Sequence, residues 1–255
     1  MSSEPESIFI WDFDGTLGYR EGMWSGALAD LSRGLRPDLA LGPEAFRPHL
    51  QSGFPWHDWE HVRKPQSPDE WWQAMSEVIH RAVAKVERLA AADYDAIVAG
   101  IRDEYLRADS WALFPDVLPF FSSLFASTKR HVILSNHVPE LEEILRSLGI
   151  RDYFEAVFNS SLTGIEKPHA EAFAQVLRAY PDASGLIMIG DSYEADIAPA
   201  ESAGIPAVLL RNSDPRARWS CRGMDELPPL LGEIAASRSL VLRSGYGGQA
   251  VNIGK

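Results

Sequence analysis

Four short runs of apolar residues each break off at a polar residue, and they set the framework of the chain. The runs occupy 8–11, 131–134, 186–189 and 207–210. Continuous rather than alternating apolarity is typical of strands that are covered on both faces. Helical patterns separate the last three runs, and they occupy 139–148, 170–179 and 193–203. Strands that alternate with helices predict a parallel sheet whose functional residues lie at the carboxyl ends of the strands.

The stretch between the first two runs is different, because residues 19–112 contain no buried-strand run. Ser67, Pro68 and Glu70 have the spacing of a helix start, with a capping box closed by the glutamate. Apolar residues then follow helical spacing, and a second helix is expected over 93–105. The insertion is therefore predicted to be helical throughout.

These patterns divide the chain into two parts. We predict an α/β fold in which residues 1–18 and 113–255 form the parallel-sheet core and residues 19–112 form an inserted all-helical domain. An insertion of about ninety residues is long enough to be a small domain of its own. The Gly-rich stretch 238–255 is predicted to be a peripheral tail of the core.

Composition adds the expected compartment and excludes some partners. The chain has 24 Lys and Arg against 36 Asp and Glu, a formal net charge of −12. This balance argues against non-specific nucleic-acid binding, which depends on basic contacts with phosphates. The single cysteine, Cys221, excludes an intrachain disulfide and is typical of a reducing compartment. No signal-peptide pattern or membrane-length apolar run is present, so we expect a soluble cytoplasmic protein without a membrane partner.

The first apolar run leads into Asp12, Phe13, Asp14, Gly15 and Thr16. Side chains alternate along a strand, so Asp12 and Asp14 are expected to point the same way. Two neighbouring carboxylates repel each other, and the pKa of one rises unless a cation lies between them. Such a pair suits a metal-bound nucleophile and a general acid, and Gly15 allows a sharp turn whose N–H groups face an anion. An ordinary strand-ending turn is the alternative.

The third apolar run ends in Gly190 and Asp191, and Asp196 follows five residues later. Asp12, the backbone carbonyl of Asp14 and Asp191 would supply hard oxygen ligands of the kind that Mg²⁺ prefers. The alternative makes Asp191 a helix N-cap and Asp196 a first-turn acid. Capping does not explain why two separate strands both end in aspartate, so we predict a Mg²⁺ site at this edge of the sheet.

Two further polar segments fall near the same predicted edge. Ser135 and Asn136 end the second run, where a hydroxyl and adjacent backbone N–H groups could hold phosphoryl oxygens, although both residue types are common in turns. Lys167 precedes the next helix and would neutralise a nucleophile and a transferring phosphoryl group. Most lysines are merely solvated, so Lys167 is informative only together with the aspartates.

Together these segments resemble the haloacid dehalogenase (HAD) superfamily over roughly residues 8–211. The resemblance is carried by 12–16, by Ser135 with Asn136, by Lys167 with Pro168, and by Gly190, Asp191 and Ser192 with Asp196. It implies a Rossmann-like core, and the insertion looks like the helical type 1 cap of that family. Trp11 is bulky for the position before the first aspartate, and Pro199 stands where the family often has glycine.

The resemblance implies a Mg²⁺-dependent phosphatase that acts on a small phosphorylated metabolite. Asp12 would form an aspartyl-phosphate and Asp14 would be the general acid and base, with Ser135 and Lys167 as further catalytic candidates. A dehalogenase attacks carbon and needs no acid at position 14. The implied phosphate-binding residues are Gly15, Thr16, Ser135, Asn136 and Lys167, the implied metal ligands are Asp12, Asp14 and Asp191, and Asp196 is a supporting residue.

Other functions stay open at this point. A phosphomutase differs only in where the phosphoryl group goes next. A phosphonate hydrolase would form a Schiff base on a cap lysine, for which Lys64 and Lys85 are the candidates. A catalytically idle binding module is the alternative from another class, and either a monomer or a homodimer is compatible with the sequence.

Substrate choice is expected to reside in the cap, which contains or borders six of the eight tryptophans. Their rings, expected mainly to pack a core, belong to Trp24, Trp56, Trp59, Trp71, Trp72 and Trp111. His57 and His61 are four apart, a spacing that could bind a metal. Candidates for gripping an anionic substrate are Arg20, His49, His57, Arg63 and Lys64.

Overall fold

A computed structural model describes residues 7–181, 183, 185–234 and 236 of the chain. Its strands are β1 (Ser7–Trp11), β2 (Gly18–Arg20), β3 (Trp111–Leu113), β4 (Arg130–Ser135), β5 (Ala156–Asn159), β6 (Gly185–Gly190), β7 (Ala207–Leu210) and β8 (Ser220–Cys221). Six of them form one parallel sheet in the order β5-β4-β1-β6-β7-β8, and β2 pairs with β3 antiparallel. The predicted tail at 238–255 lies outside the described residues.

The four predicted strands are present as β1, β4, β6 and β7, and they are buried on both faces. Phe9 and Trp11 of β1 pack on one side of the sheet, while Ile8 and Ile10 pack on the other. Burial of each such side chain contributes about 1.5–3 kcal/mol. Trp11 also donates a hydrogen bond from Nε1 to Nδ1 of His131 at 3.1 Å, so the bulky ring has a polar partner in the core. The predicted α/β class with a Rossmann-like parallel sheet is confirmed.

The helices are α1 (Met23–Leu35), α2 (Pro68–Val83), α3 (Ala91–Leu106), α4 (Val117–Phe121), α5 (Leu124–Ser127), α6 (Leu141–Ser147), α7 (Ser160–Thr163), α8 (Ala170–Ala179) and α9 (Ala198–Ser202). The helix predicted over 170–179 has those bounds, whereas α6 begins two residues after the predicted start. The pattern over 193–203 is divided into a π-helical turn, Tyr193–Ile197, and α9. Pro199 lacks the N–H that a regular helix would donate at this point, which accounts for the division.

The insertion contains α1, α2 and α3, and it begins and ends in short strands. Ser67 Oγ accepts a hydrogen bond from Glu70 N at 3.3 Å, and the Glu70 carboxylate accepts one from Ser67 N at 2.8 Å, which is the predicted capping box. The expectation of an entirely helical insertion needs correction at its ends, because β2 and β3 pair there. Three-residue strands are too short to show a period, and α1 was missed because glycine and serine interrupt its pattern. The two-domain division with boundaries at 18 and 113 stays a prediction.

Glu140 connects the insertion to the core. Its carboxylate, 7% exposed, accepts hydrogen bonds from Trp72 Nε1 of α2 at 3.0 Å and from Arg102 Nη2 of α3 at 2.7 Å. Glu140 lies five residues after Ser135 of β4, so the segment that leaves this strand also holds the insertion. No helix within the described ranges combines the length and the apolar character that crossing a bilayer demands.

Candidate active site

Asp12 follows β1 at the centre of the sheet, and the residue is 8% exposed. Its backbone N–H continues the strand ladder to Ile189 O at 3.0 Å, which fixes the residue at the carboxyl edge. Oδ1 accepts hydrogen bonds from Ser135 Oγ and from Lys167 Nζ, both at 2.8 Å. A buried carboxylate is stabilised in its charged form by such donors. The structure therefore brings together Asp12, Ser135 and Lys167 from three separate segments.

Lys167 is 3% exposed and bridges two carboxylates. Its Nζ lies 2.8 Å from Asp12 Oδ1 and 2.5 Å from Asp196 Oδ1. Burial by itself lowers the pKa of Lys167, but the carboxylates of Asp12 and Asp196 outweigh burial and hold the pKa above its ordinary value. The second oxygen of Asp196 accepts a hydrogen bond from Ser192 N at 3.0 Å. Asp196, predicted as a supporting residue, thus holds both the ammonium group and the loop after β6.

Asn136 holds the backbone of Lys167 in place. Its Nδ2 donates to Lys167 O at 2.8 Å, and its Oδ1 accepts from Lys167 N at 2.7 Å. These two bonds use one of the two N–H groups and one lone pair of the side-chain amide. The sequence placed Asn136 near the site but gave no signal for this reciprocal pair, which joins residues 31 positions apart.

Asp14 lies at the cavity floor beside Asp12. Burial and the negative charges of Asp12 and Asp191 raise the pKa of Asp14 well above its ordinary value, and Lys167 opposes them. Asp14 Oδ1 is a buried oxygen without a hydrogen-bond partner within the described part of the chain. Such an atom marks a place where a ligand or a cation completes the site.

Gly15 makes the turn after Asp14 possible. Its φ is +76°, and a Cβ at this position would lie 2.2 Å from Asp191 Oδ2. Only glycine fits this approach without a shift of the neighbouring carboxylate. Thr16 is fully buried, and its hydroxyl has a long contact of 3.5 Å with Asp191 Oδ1. The Thr16 side chain therefore faces Asp191.

The donor set fits a divalent cation. Carboxylate oxygens of Asp12, Asp191 and Asp196 all lie within 4.8 Å of one another. Burial, with the charges of Asp12 and Asp196 adding to it, raises the pKa of Asp191 to about 7. Hard oxygen ligands that repel one another are the environment that Mg²⁺ relieves. The predicted Asp12 and Asp191 are brought together, and Asp14 lies beside them.

His137 is a site residue that the sequence did not suggest. It is buried, and its Nε2 lies 3.7 Å from Asp14 Oδ1. Burial lowers the pKa of His137 to about 4, so the imidazole is neutral near pH 7. Its position directly after Asn136 is the one available signal, and it depends on knowing where β4 ends.

Glu166 is a second buried acid, next to Lys167. It is 2% exposed, and its Oε2 has no hydrogen-bond partner among the residues that are described. Burial raises the pKa of Glu166 to about 7, against smaller opposing effects of Ser160, Arg63 and Lys167. The insertion docks close by, since Arg63 N donates to Gly164 O at 2.8 Å.

A cavity of about 510 Å³ opens above these residues, between the insertion and the core. Its walls and floor are formed by Asp14, Met23, Trp24, Trp56, Trp59, Tyr105, Asn136, His137, Val138, Lys167, Pro168, Ser192, Glu194 and Ala195. Trp71, Trp72 and Trp111 are buried as expected. Trp24 is buried as well, at 6% exposed, and it contributes to the cavity wall together with the half-buried Trp56 and Trp59.

The residues suggested for gripping an anion lie elsewhere. The described lining of the cavity includes none of Arg20, His49, His57, Arg63, Lys64 and Lys85. Arg20 is buried against Glu104 at 2.7 Å, and Arg63 pairs with Asp58 at 2.9 Å. His61 Nδ1 also lies 2.7 Å from Asp58, whereas His57 accepts from Phe54 N at 3.3 Å. The two histidines therefore have different partners.

Comparison with known proteins gives a family and several relatives. A family model described as haloacid dehalogenase-like hydrolase matches residues 7–204. Phosphoglycolate phosphatase of Caulobacter vibrioides is 33% identical over 126 residues, which are 48% of this chain and 53% of the relative. Pyrimidine 5′-nucleotidase YjjG of Escherichia coli is 31% identical over 109 residues, which are 39% of this chain and 48% of the relative. The chain spans about half the length of the curated relatives it matches.

The solved structures agree in fold. The HAD hydrolase YfnB of Bacillus subtilis, solved with magnesium, superposes with a TM-score of 0.66 over 90% of this chain and 100% of the other, at 22% identity. At that identity the likeness shows the fold alone. The family model, in contrast, covers more than half of the chain and includes β1, β4 and β6 with Asp12, Ser135 and Asp191 at their carboxyl ends. The chain belongs to the haloacid dehalogenase-like hydrolase family.

Proposed function

We propose that the protein is a Mg²⁺-dependent phosphatase that hydrolyses a small phosphorylated metabolite through an aspartyl-phosphate on Asp12. One observation supports this above all. The buried Asp12 carboxylate, held at 2.8 Å by both Ser135 and Lys167, lies beside Asp14, whose pKa is raised. A carboxylate nucleophile beside a carboxyl group with a raised pKa is the pair that nucleophilic attack with acid assistance requires.

The reaction follows from these positions. A carboxylate oxygen of Asp12 bonds to phosphorus while the bond from phosphorus to the ester oxygen breaks. The leaving oxygen takes a proton from Asp14, whose pKa is raised by burial and by the charges of Asp12 and Asp191. Asp14 then accepts a proton from water, the water oxygen attacks phosphorus, and Asp12 and inorganic phosphate are released. Lys167 and Ser135 keep Asp12 oriented throughout.

Asp12 and Asp191, with the carbonyl of Asp14, would hold Mg²⁺. The ion, when bound, lowers the repulsion between the phosphoryl group and the carboxylate nucleophile. The converging carboxylates support this assignment. Asp196 keeps its two oxygens on Lys167 and Ser192, so its proposed role is to position the lysine.

Asp14 also favours phosphoryl transfer over dehalogenation. Attack at carbon with loss of halide produces an anion that needs no proton, so an acid at this position would have no task. The two relatives named above act, by their names, on phosphoglycolate and on pyrimidine nucleotides, so they agree on phosphate esters but not on one substrate.

Asp12→Asn tests the proposal with p-nitrophenyl phosphate as substrate. We expect the wild-type protein to hydrolyse it with Mg²⁺ and to lose activity in EDTA. Asp12→Asn should lower kcat by at least about a thousandfold, because the amide is a poor nucleophile. The matched control Asp152→Asn, at an exposed position, should retain full activity. Unchanged turnover by Asp12→Asn would eliminate the proposed nucleophile.

A further inference from the structure

The cavity above Asp14 has two unlike ends. The core contributes the charged lining residues, next to which the phosphoryl group would sit, whereas the wall contributed by the insertion is aromatic and apolar. That wall consists of Met23, Trp24, Trp56, Trp59 and Tyr105. A volume of about 510 Å³ is in the range of sites that enclose a complete small organic ligand, so the space extends well beyond the phosphoryl group.

Neighbouring rings hold the side chains of the aromatic wall in fixed orientations. Trp24 stacks on Tyr105 with ring centroids 4.1 Å apart and planes 20° apart. Trp56 stacks on Phe54 at 4.6 Å and 9°. Rings fixed by other rings keep their faces in one orientation at little entropic cost on binding. Met23, at a positive φ of 47°, adds a polarisable side chain to the same wall.

The charges around the cavity disfavour a second anion on the substrate. Among the described residues that line it, Lys167 is the only lysine or arginine, and its ammonium group is shared between Asp12 and Asp196. Glu194, which also lines the cavity, is exposed and pairs with Arg216 at 2.8 Å. A carboxylate on the leaving group would therefore meet Asp14 and Glu194 without a free cation to bind it.

We propose that the substrate is a phosphate monoester whose alcohol carries a planar, uncharged ring, bound against Trp24, Trp56 and Trp59. The inference rests on the proposed phosphatase function and narrows it to a substrate class. A nucleoside monophosphate and an aryl phosphate share this chemistry. The ring stacks on the aromatic wall while its phosphoryl group reaches Asp12, and stacking of this kind tolerates many ring types.

The first test compares four esters by kcat/KM with the wild-type protein and Mg²⁺. They are 1-naphthyl phosphate, uridine 5′-monophosphate, 2-phosphoglycolate and glycerol 3-phosphate. We expect at least one of the two ring esters, 1-naphthyl phosphate or uridine 5′-monophosphate, to have a kcat/KM that exceeds those of 2-phosphoglycolate and glycerol 3-phosphate by at least about tenfold. The ring ester with the higher kcat/KM shows whether the cavity prefers a nucleoside monophosphate or an aryl phosphate. A 2-phosphoglycolate value equal to or above both ring esters overturns the inference.

Variants of Trp59 test the wall itself, since this ring is only half-buried. Trp59→Ala should lower kcat/KM for 1-naphthyl phosphate about tenfold, mainly through KM, and leave glycerol 3-phosphate within twofold. Trp59→Phe should restore most of the lost kcat/KM. Trp59→Arg should have a higher kcat/KM for 2-phosphoglycolate than Trp59→Ala has. The control Trp219→Ala, at a half-buried ring outside the cavity lining, should leave kcat/KM unchanged for both 1-naphthyl phosphate and glycerol 3-phosphate. An equal loss on both esters in Trp59→Ala contradicts the assignment.

Binding to Asp12→Asn separates the substrate class from the function. This variant should bind 1-naphthyl phosphate at least about tenfold more tightly than 2-phosphoglycolate, as measured by calorimetry. If the wild-type protein hydrolyses no ester but this order of affinity holds, the phosphatase function fails and the ring-binding cavity stands. The reverse order of affinity overturns the inference whether or not any ester is hydrolysed.

Discussion

Replacement of Glu166 by glutamine would measure what burial of one carboxyl group does to the stability of this protein. Glu166 is 2% exposed, and burial raises its pKa from the ordinary value of 4.5 to about 7. The folded protein therefore binds this proton more tightly than the unfolded chain does. Stability is highest where the group is protonated in both states, and it falls as the pH rises from about 4.5 towards 7.

The magnitude follows from the two pKa values. At about 1.4 kcal/mol for each pH unit between them, the full loss in the free energy of unfolding is about 3 kcal/mol. Most of this loss falls between pH 5 and pH 8. Because glutamine does not titrate, Glu166→Gln should lack this decrease. Its free energy of unfolding should therefore rise relative to that of the wild-type protein as the pH increases.

Urea unfolding in EDTA, followed by tryptophan fluorescence at pH 5 and pH 8, provides the measurement. Other buried carboxyl groups, such as Asp14 and Asp191, titrate in both proteins, so the difference between wild type and Glu166→Gln isolates Glu166. Glu143→Gln, at an exposed position, is the matched control and should run parallel to the wild-type protein. Parallel pH profiles for wild type and Glu166→Gln would refute the argument.

Two further changes test the turn after β1 and the contact between insertion and core. In Gly15→Ala the new Cβ would lie 2.2 Å from Asp191 Oδ2 at a φ of +76°. We expect turnover of p-nitrophenyl phosphate to fall at least about a hundredfold with an unchanged circular dichroism spectrum, and near-normal turnover would contradict this. Glu140→Ala removes the acceptor of Trp72 and Arg102 and should lower the free energy of unfolding in urea by about 2–4 kcal/mol, less than for a fully buried ion pair because Arg102 is partly exposed. Glu140→Gln should lose less, and a loss below about 1 kcal/mol in Glu140→Ala would show that the contact is weak.

The sheet could be predicted because its information is local. Each run that became β1, β4, β6 or β7 is continuously apolar, a pattern that only burial on both faces requires. The same topology brings the ends of neighbouring parallel strands to one edge. The sequence alone therefore predicts that Asp12, Ser135 and Asp191 lie close together. Their distances agree with that grouping, while their catalytic and metal-binding roles stay predictions.

The remaining features depend on contacts between distant positions. Trp72 and Glu140 are 68 residues apart, and neither residue type signals the other in the sequence. His137 can be identified as a site residue only from its distance to Asp14. The cavity lining shows the same limit, because periodicity cannot distinguish a tryptophan that faces a cavity, such as Trp59, from one that packs a core, such as Trp71.

The antiparallel pairing of β2 and β3 has a consequence for how new specificities arise on this framework. Arg20 and Trp111 are register partners, so the chain departs from the sheet and returns to it side by side. Everything between them can be lengthened, shortened or exchanged without rerouting any of the six parallel strands. Selection can therefore rewrite the insertion, which supplies part of the cavity wall, while Asp12, Asp14 and Asp191 at the edge of the sheet are inherited unchanged.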